Sequence, residues 1–420
     1  MLDSMPPEDH GFHDGRSPLA DRSPEAAAPG APTHPRPRRW IVWLTTAAVA
    51  IGAWALVGYP IYEFPAPAPF RGTRFFNPYE PDGGRWLKAN FHAHASAWLT
   101  IANGRASESD VARTYAAMGY DIVGLSNYWR ISRTHSVPRV YAAYEHGANL
   151  GRSHHLVIGA HSVLAFDFPL VQNIHQKQFL LRLLHDASEV LLIAHPRLRG
   201  GFSSYDVARL TNYDGMEAVS GIRKSQEWWD AALSAGRLRW NVSGDDSHDS
   251  SDPTATGVCW TMIRAASIAE SDVLAAISQG LTYGVEGKGG RLGIALDECL
   301  MHDGTLRVRT VPAASTITFI GQGGVARQTV AGVSQADYVF RDDDTYIRVE
   351  IEGEGNHLYL NPVVRTDGGR PDTAEARVNW PLSIGMWLSY TIAGVGIIAA
   401  AARWSRRRAS GRMARSRTPQ

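Results

Sequence analysis

The sequence predicts an α/β domain that is followed by a small β-sandwich and flanked by two transmembrane helices. First, two long apolar stretches near the ends of the chain lack any charged side chain. Second, short apolar runs alternate with amphipathic stretches from about Arg85 to Val285, which is typical of an α/β domain with mainly parallel strands. Third, alternating strand patterns with Gly and Asp turns fill Leu292 to Val364, which favours a sandwich.

Length and composition narrow the possible classes. A chain of 420 residues can bury one large core and a smaller one. Its 42 Lys+Arg against 41 Asp+Glu give a formal charge of +1, which offers no argument for duplex nucleic-acid binding. The two cysteines, Cys259 and Cys299, are too few for a disulfide framework, and whether they pair is left open.

The apolar stretches Trp40–Tyr62 and Trp380–Ala402 are each long enough to cross a bilayer. Arginines precede the first and follow the second, and the tail 403–420 contains no acidic residue. Positive flanks mark the cytoplasmic side, so we expect a two-pass protein of the cell membrane with both termini cytoplasmic and residues 63–379 outside the cytoplasm. The alternatives are a cleaved signal peptide for the first stretch and a buried core helix for the second.

The predicted organisation has six parts. They are a disordered cytoplasmic tail (1–39), a transmembrane helix (40–62), a hydrolase-like domain (85–290), a small β-sandwich (291–367), a transmembrane helix (380–402) and a basic cytoplasmic tail (403–420).

Metal-capable side chains recur near the ends of successive predicted strands. His92-Ala93-His94 ends the first strand, where alternation points both imidazoles to one side. A lone His-x-His pattern is weak, but Glu145, His195 and Asp246-Ser247-His248 occupy similar places. Catalytic residues of β/α barrels converge at the carboxyl ends of the strands, and imidazole and carboxylate are ligands for Zn, Mn or Fe. The pattern therefore predicts a metal-dependent hydrolase.

Five motifs resemble, in order, those of the polymerase and histidinol phosphatase (PHP) superfamily. They are Asn90-Phe91-His92-Ala93-His94, Gly119 to Leu125, Ala194-His195-Pro196, Gly244 to His248 and Ala275 to Gly280. The resemblance covers roughly residues 85–290. It implies a distorted (β/α)7 barrel and metal-dependent phosphoesterase activity.

The resemblance also implies roles for single residues. His92 and His94 would hold one metal with Asp246, Glu145 would bridge, and the second metal would be held by His155 and His195. His155 is preferred to His154 because it directly precedes Leu156, although both remain open. His248 would act as a general acid, contact the phosphate or complete a metal shell, with Asp246 the other catalytic residue.

This sequence departs from the family at two ligands of a third metal site. Ser126-Asn127-Tyr128 stands where Thr-Asp-His is usual, and Thr100 falls where a third histidine is expected. We therefore expect two divalent ions, of Mn, Zn or Fe. Arg197 and Lys288 are candidates to neutralise a substrate phosphate, with a plain solvated lysine as the alternative for Lys288.

The predicted function is hydrolysis of a phosphate monoester or diester by a metal-bridged hydroxide, with a small molecule or a nucleotide as substrate. Nucleotide phosphatase and exonuclease activities occur among the family's members. Two alternatives stay open: a metal-dependent hydrolase of carbon–nitrogen or carbon–oxygen bonds, and a non-catalytic membrane-anchored binding or sensory module.

Overall fold

The structure is a computed structural model that describes residues 44–46, 49, 52–53, 56–80, 83–97, 104–132, 139–371 and 374–415. The predicted disordered tail, ten of the 23 residues of the first predicted span and Thr100 lie outside the described residues.

The described secondary structure consists of short strands, helices and a long antiparallel extension. The helices of four or more residues are α1 (Glu108–Ala117), α2 (Ile174–His185), α3 (Ser204–Val207), α4 (Gln226–Ser234), α5 (Glu270–Gln279) and α6 (Trp380–Arg415). Strands of the first half are β1 (Tyr62–Glu63), β2 (Arg74–Phe76), β3 (Arg85–Ala93), β4 (Ile122–Leu125), β5 (Arg139–Tyr141), β6 (Ala143–His146), β7 (His154–Ile158), β8 (Val190–Ala194) and β9 (Gly215–Met216). Later strands are β10 (Trp240–Asn241), β11 (Cys259–Ala265), β12 (Thr282–Glu286), β13 (Ala295–His302), β14 (Thr305–Gly321), β15 (Val325–Val339), β16 (Tyr346–Gly353), β17 (Asn356–Thr366) and β18 (Arg377–Val378).

Two large sheets carry the fold. The smaller has the order β10-β9-β8-β7-β6, and the larger has the order β13-β14-β16-β17-β12-β11-β3-β4-β5, with β15 on β14 and β2 on β17. Among the strands named above, parallel ladders join only β3-β4-β5 and β8-β9-β10, and the other ladders are antiparallel. The expectation of mainly parallel strands was wrong, because a short run that is buried on both faces carries no signal of its direction.

Isolated bridges join the two sheets. Tyr128 pairs in parallel with Glu145, and Ala93 pairs in parallel with Ser247. They bring the ends of β3, β4 and β6 beside the segment that follows β10, which is where the metal-capable side chains lie.

The strands of the predicted small β-sandwich over 291–367 do not form a sheet of their own. Strands β13 to β17 continue the larger sheet through β12, and they share one apolar core with β3 and β4, in which Val123 and Phe319 are fully buried. One-sided alternation is the same for a strand of a sandwich and for a strand that extends an existing sheet, so the sequence pattern could not separate them.

Helix α6 contains a 25-residue apolar stretch, Trp380–Trp404, which includes an 18-residue window of mean hydropathy 1.7 with no residue buried inside the protein. Within the described part of the chain it is the one helix long and apolar enough to cross a membrane. The described residues between Leu44 and Val57 are helical. However, Tyr59 and Tyr62 are buried in the folded domain, and Tyr62 begins β1, which pairs with β18. The predicted end of the first span at Tyr62 was therefore wrong: a tyrosine ring suits a membrane interface and a protein core equally well.

Candidate metal centre

His92 and His94 lie at the end of β3 and point to one side, as strand alternation requires. Both are fully buried. Their Nε2 atoms lie 3.2 and 3.3 Å from Oδ1 of Asp246, and 3.5 and 3.2 Å from Oε2 of Glu145. Two strand-end imidazoles thus converge on two carboxylates from distant parts of the chain.

Glu145 lies between two histidine pairs. Its Oε1 is 2.6 Å from Nδ1 of His154 and 3.4 Å from Nε2 of His195, while its Oε2 faces the pair on β3. Asp246 reaches the same side, with Oδ2 3.6 Å from Nε2 of His195. Two ligands that each lie about 2.1 Å from one tetrahedral ion are about 3.4 Å apart, so most of these separations suit shared metal ligation.

The strand register decides between the two neighbouring histidines of β7. Glu145 pairs with Leu156 and His146 pairs with His155 in the antiparallel β6-β7 ladder. Because cross-strand partners point to the same face, His154 shares the face of Glu145 and His155 shares the opposite one. The structure therefore brings His154 into the cluster. His155 is buried elsewhere, edge-on to Phe202 with ring centroids 5.6 Å apart, so the preference for His155 was wrong.

Glu217, one residue after β9, was missed by the sequence analysis. Its Oε1 lies 2.9 Å from Nδ1 of His92, and its Oε2 accepts a hydrogen bond from the backbone N–H of His195 at 3.0 Å. A carboxylate on Nδ1 leaves Nε2 of His92 directed at the cluster. The strand before it has only two residues, so no clear signal in the sequence marks Glu217 as following a strand. A Cβ at Gly244 would lie 2.7 Å from Cβ of His92, so only glycine fits at that position.

Two residues of the cluster have backbone conformations that most residues avoid. His195 has φ of 25° and Asp246 has φ of 52°, although neither is glycine. Such conformations are costly and concentrate at functional sites, where they aim a side chain. His195 directly follows β8, and Asp246 directly precedes the bridged residue Ser247. In both, the unusual backbone conformation directs the side chain into the cluster.

The electrostatics of the cluster are strongly perturbed. Burial alone would lower the pKa of His92, but the surrounding carboxylates, chiefly Glu217 and Asp246, raise it well above its usual value. Burial would raise the pKa of Glu145, yet His154 and His92 hold it well below its usual range. The pKa of Asp246 is also lowered against the effect of burial, chiefly by His92. These pKa shifts favour a protonated His92 beside the ionised carboxylates of Glu145 and Asp246.

Several buried ligand-type atoms of the cluster lack a hydrogen-bond partner. They are His92 Nε2, His94 Nε2 and Oε2 of Glu145. A buried polar atom without a partner is costly, and such atoms in groups of imidazole and carboxylate are typical of a metal site. His92, His94, Glu145 and Asp246, and likewise Glu145, His154 and His195, place their ligand atoms within 4.8 Å of one another. The residues present fit divalent metal ions.

The remaining predicted residues lie at the rim of the cluster or away from it. The His248 ring stacks on His94 at 4.2 Å between centroids, with Nε2 3.5 Å from Asp246 Oδ1, and its side chain is half-exposed. Arg197 is exposed, and its guanidinium lies 5.5 Å from the Trp228 ring. Lys288 is exposed beside the β16-β17 turn rather than at the cluster, because β12 carries the chain into the antiparallel extension.

Comparison with known proteins gives one structural likeness. No protein-family model matches this chain, and no curated protein matches its sequence. Among solved structures, the chain is similar to a two-domain protein from Bacteroides vulgatus that contains a predicted PHP-like metal-dependent phosphoesterase. The two are 11% identical, the likeness covers 75% of this chain and 99% of that chain, and the TM-score is 0.37.

Proposed function

We propose that this protein is a membrane-anchored, metal-dependent phosphoesterase that hydrolyses a phosphate monoester or diester. The observation that carries the proposal is the buried cluster of four imidazoles and two carboxylates with ligand atoms directed at one another. In this interpretation the two bridged sheets form a distorted barrel whose strand ends meet at the cluster.

Two groups of residues would hold the ions. His92, His94 and Asp246 would hold one, and His154 with His195 the other, because Glu145 presents one oxygen to each group. Bound divalent ions would supply Lewis acidity for a phosphoryl oxygen and a water of lowered pKa. Imidazole and carboxylate ligands suit Mn, Zn or Fe.

The chain's own residues would complete the site. Asp246 holds His248 at the opening, where a half-exposed imidazole can donate a proton to a leaving oxygen. Arg197 would attract the substrate phosphate from the rim. Glu217 orients His92 through Nδ1.

The activity is tested with the full-length protein in detergent, on a panel of phosphate monoesters, phosphate diesters, nucleotides, carboxylic esters and amides, with Mn, Zn or Fe. We expect metal-dependent hydrolysis of phosphate esters that is lost in His92→Ala and Asp246→Ala and retained in His302→Ala, an exposed histidine of β13. Turnover confined to amides or carboxylic esters would assign a different hydrolase, and no turnover with any metal would leave a binding module.

We also propose that both apolar stretches cross the cell membrane and that the cluster lies outside the cytoplasm. The arginines after Trp404 and the exposed apolar side chains of α6, such as Ile392, Val395 and Ile397, support this arrangement. A reporter that is active only in the cytoplasm, fused after Gln420, should then be active.

A further inference from the structure

The loop between two of the proposed metal ligands packs against a second loop. Residues 147–153 connect Glu145 with His154, and they lie on the segment 166–172 that precedes α2. The backbone N–H of Leu150 donates to Pro169 at 3.0 Å, and that of Ala148 donates to the Asp167 carboxylate at 2.8 Å. The two loops therefore form one unit at the edge of the cluster.

This unit exposes three large aliphatic side chains. Leu150, Leu170 and Val171 are 71%, 59% and 73% exposed, and we call them the apolar tip. A Cβ at Gly151 would lie 3.7 Å from Cα of Val171, so the two loops meet at the tip itself. Adjacent exposed aliphatic residues on paired loops are typical of a surface that is covered by a partner or a membrane.

The same unit contacts the inner ends of both apolar stretches. Tyr59 stacks edge-on against Phe168 at 5.7 Å and accepts a hydrogen bond from Asn173 at 2.8 Å. The indole N–H of Trp387, in the first turns of α6, donates to the backbone oxygen of Tyr59 at 3.1 Å. Leu170 of the apolar tip is therefore two residues from Phe168, which is connected to the base of α6 through Tyr59.

Positive charge lies beside the tip. Arg152 is exposed in the first loop, and Arg197 and Arg199 are exposed in the loop after β8. Ser153 connects these two loops, because its hydroxyl donates a hydrogen bond to the backbone oxygen of Gly201 at 2.7 Å. Aliphatic side chains flanked by arginines are the composition of a surface that docks on an anionic bilayer.

We propose that the apolar tip inserts into the bilayer crossed by α6, so that the cluster acts on a phosphate ester carried by a membrane lipid. The substrate class rests on the proposed phosphoesterase function, whereas the docking does not. We assign the bilayer, rather than another protein, as the surface that covers the tip. The reason is that the segment carrying the tip packs on Tyr59, which is hydrogen-bonded to the base of α6.

Docking is tested on the full-length protein in nanodiscs of phosphatidylcholine with phosphatidic acid. Leu170→Cys and, as a control, Val339→Cys on β15 are labelled with an environment-sensitive fluorophore; the native Cys259 and Cys299 are buried and stay unlabelled. Spin-labelled lipid should quench the probe at position 170 and not at 339. Equal quenching at both positions would overturn the proposal.

The substrate class is tested by the ratio of two rates, hydrolysis of phosphatidic acid in the nanodisc and of p-nitrophenyl phosphate in solution. The triple variant Leu150→Ser, Leu170→Ser, Val171→Ser should lower this ratio at least tenfold, and the control Val325→Ser, Val339→Ser should not. An unchanged ratio would overturn the lipid substrate. If the wild-type protein hydrolysed neither ester, the phosphoesterase function itself would fail, and the quenching would still decide the docking.

Discussion

His154 and His155 are neighbours on β7 whose imidazoles have different surroundings. His154 Nδ1 lies 2.6 Å from Glu145, whereas His155 is buried with both ring nitrogens unpartnered and its pKa lowered well below the usual value by burial and by His146. We expect His154→Ala to lower bound metal to about one ion per chain. We expect His155→Ala to keep its metal and to lower the free energy of unfolding by about 1–3 kcal/mol.

Metal analysis and denaturant unfolding of both variants check this assignment. The reverse pattern, with metal lost in His155→Ala and kept in His154→Ala, would contradict the β6-β7 register.

Glu217 contacts Nδ1 of His92, so we expect it to influence metal binding through the orientation of that imidazole. Glu217→Gln keeps the size of the side chain but weakens the hold on Nδ1 of His92, so metal affinity should fall by about 10–100-fold. Competition with a chromophoric chelator measures the affinity. Glu189→Gln, which alters an exposed carboxylate paired with His161, is the matched control and should leave affinity unchanged. Equal affinities in both variants would remove Glu217 from the site.

The direction of the histidine pKa shifts sets the pH dependence of metal binding. The pKa values of His92, His94 and His195 are raised, because nearby carboxylates outweigh burial. The protons they hold stabilise the metal-free protein fully below about pH 6.5, and this contribution is lost as pH rises through the raised pKa values.

Metal must displace these protons, so affinity should rise with pH above about 6.5, with proton release on binding. Calorimetry in buffers of different ionisation enthalpy measures the protons released. A binding enthalpy that does not depend on the buffer would contradict the raised pKa values of these histidines.

At the scale of elements, one buried ion pair ties the extension to the rest of the fold. Arg348 of β16 donates to Asp230 of α4 through Nε at 2.8 Å and Nη2 at 2.7 Å, and Asp230 also accepts from the Tyr346 hydroxyl. Arg348→Met leaves a buried carboxylate without its cation, which should lower the free energy of unfolding by about 3–5 kcal/mol.

The matched control is Arg307→Met on β14, whose pair with Asp337 is exposed to solvent, so its loss should change the free energy of unfolding far less. Thermal or denaturant unfolding compares the two variants. Similar losses in both would mean that the buried pair does not hold β16 to α4.

Local patterns predicted part of the site, and pairing between distant strands decided the rest. Each of four ligand-type residues lies beside the end of a strand or beside a bridged residue, so short motifs were enough to find them: His92, His94, His195 and Asp246. The choice of His154 depends on the register with β6, which no short motif contains.

Two further features, the role of Glu217 and the pairing of β12 with β17, could not be predicted from the sequence for related reasons. Strand β9 has two residues, which is too short to mark Glu217 as a strand-end residue. The pairing of β12 with β17, which makes the extension part of the larger sheet, joins segments that are far apart in the sequence.

At the scale of the whole molecule, helix α6 and the metal-capable cluster are structurally connected. The base of α6 contacts Tyr59 and, through it, the segment that supports the loop between Glu145 and His154. In the proposed arrangement, a bilayer crossed by α6 would therefore fix the orientation of the cluster as well as its distance from the membrane.

The most direct test is the metal content of the full-length protein, purified in detergent without chelator and measured by elemental analysis. We predict about two divalent ions per chain, of Mn, Zn or Fe, and their loss in His92→Ala combined with His154→Ala. A protein that carries no ion and takes up none when titrated with these metals at neutral pH would contradict the central claim, because the cluster would then be a structural network of protonated imidazoles and carboxylates.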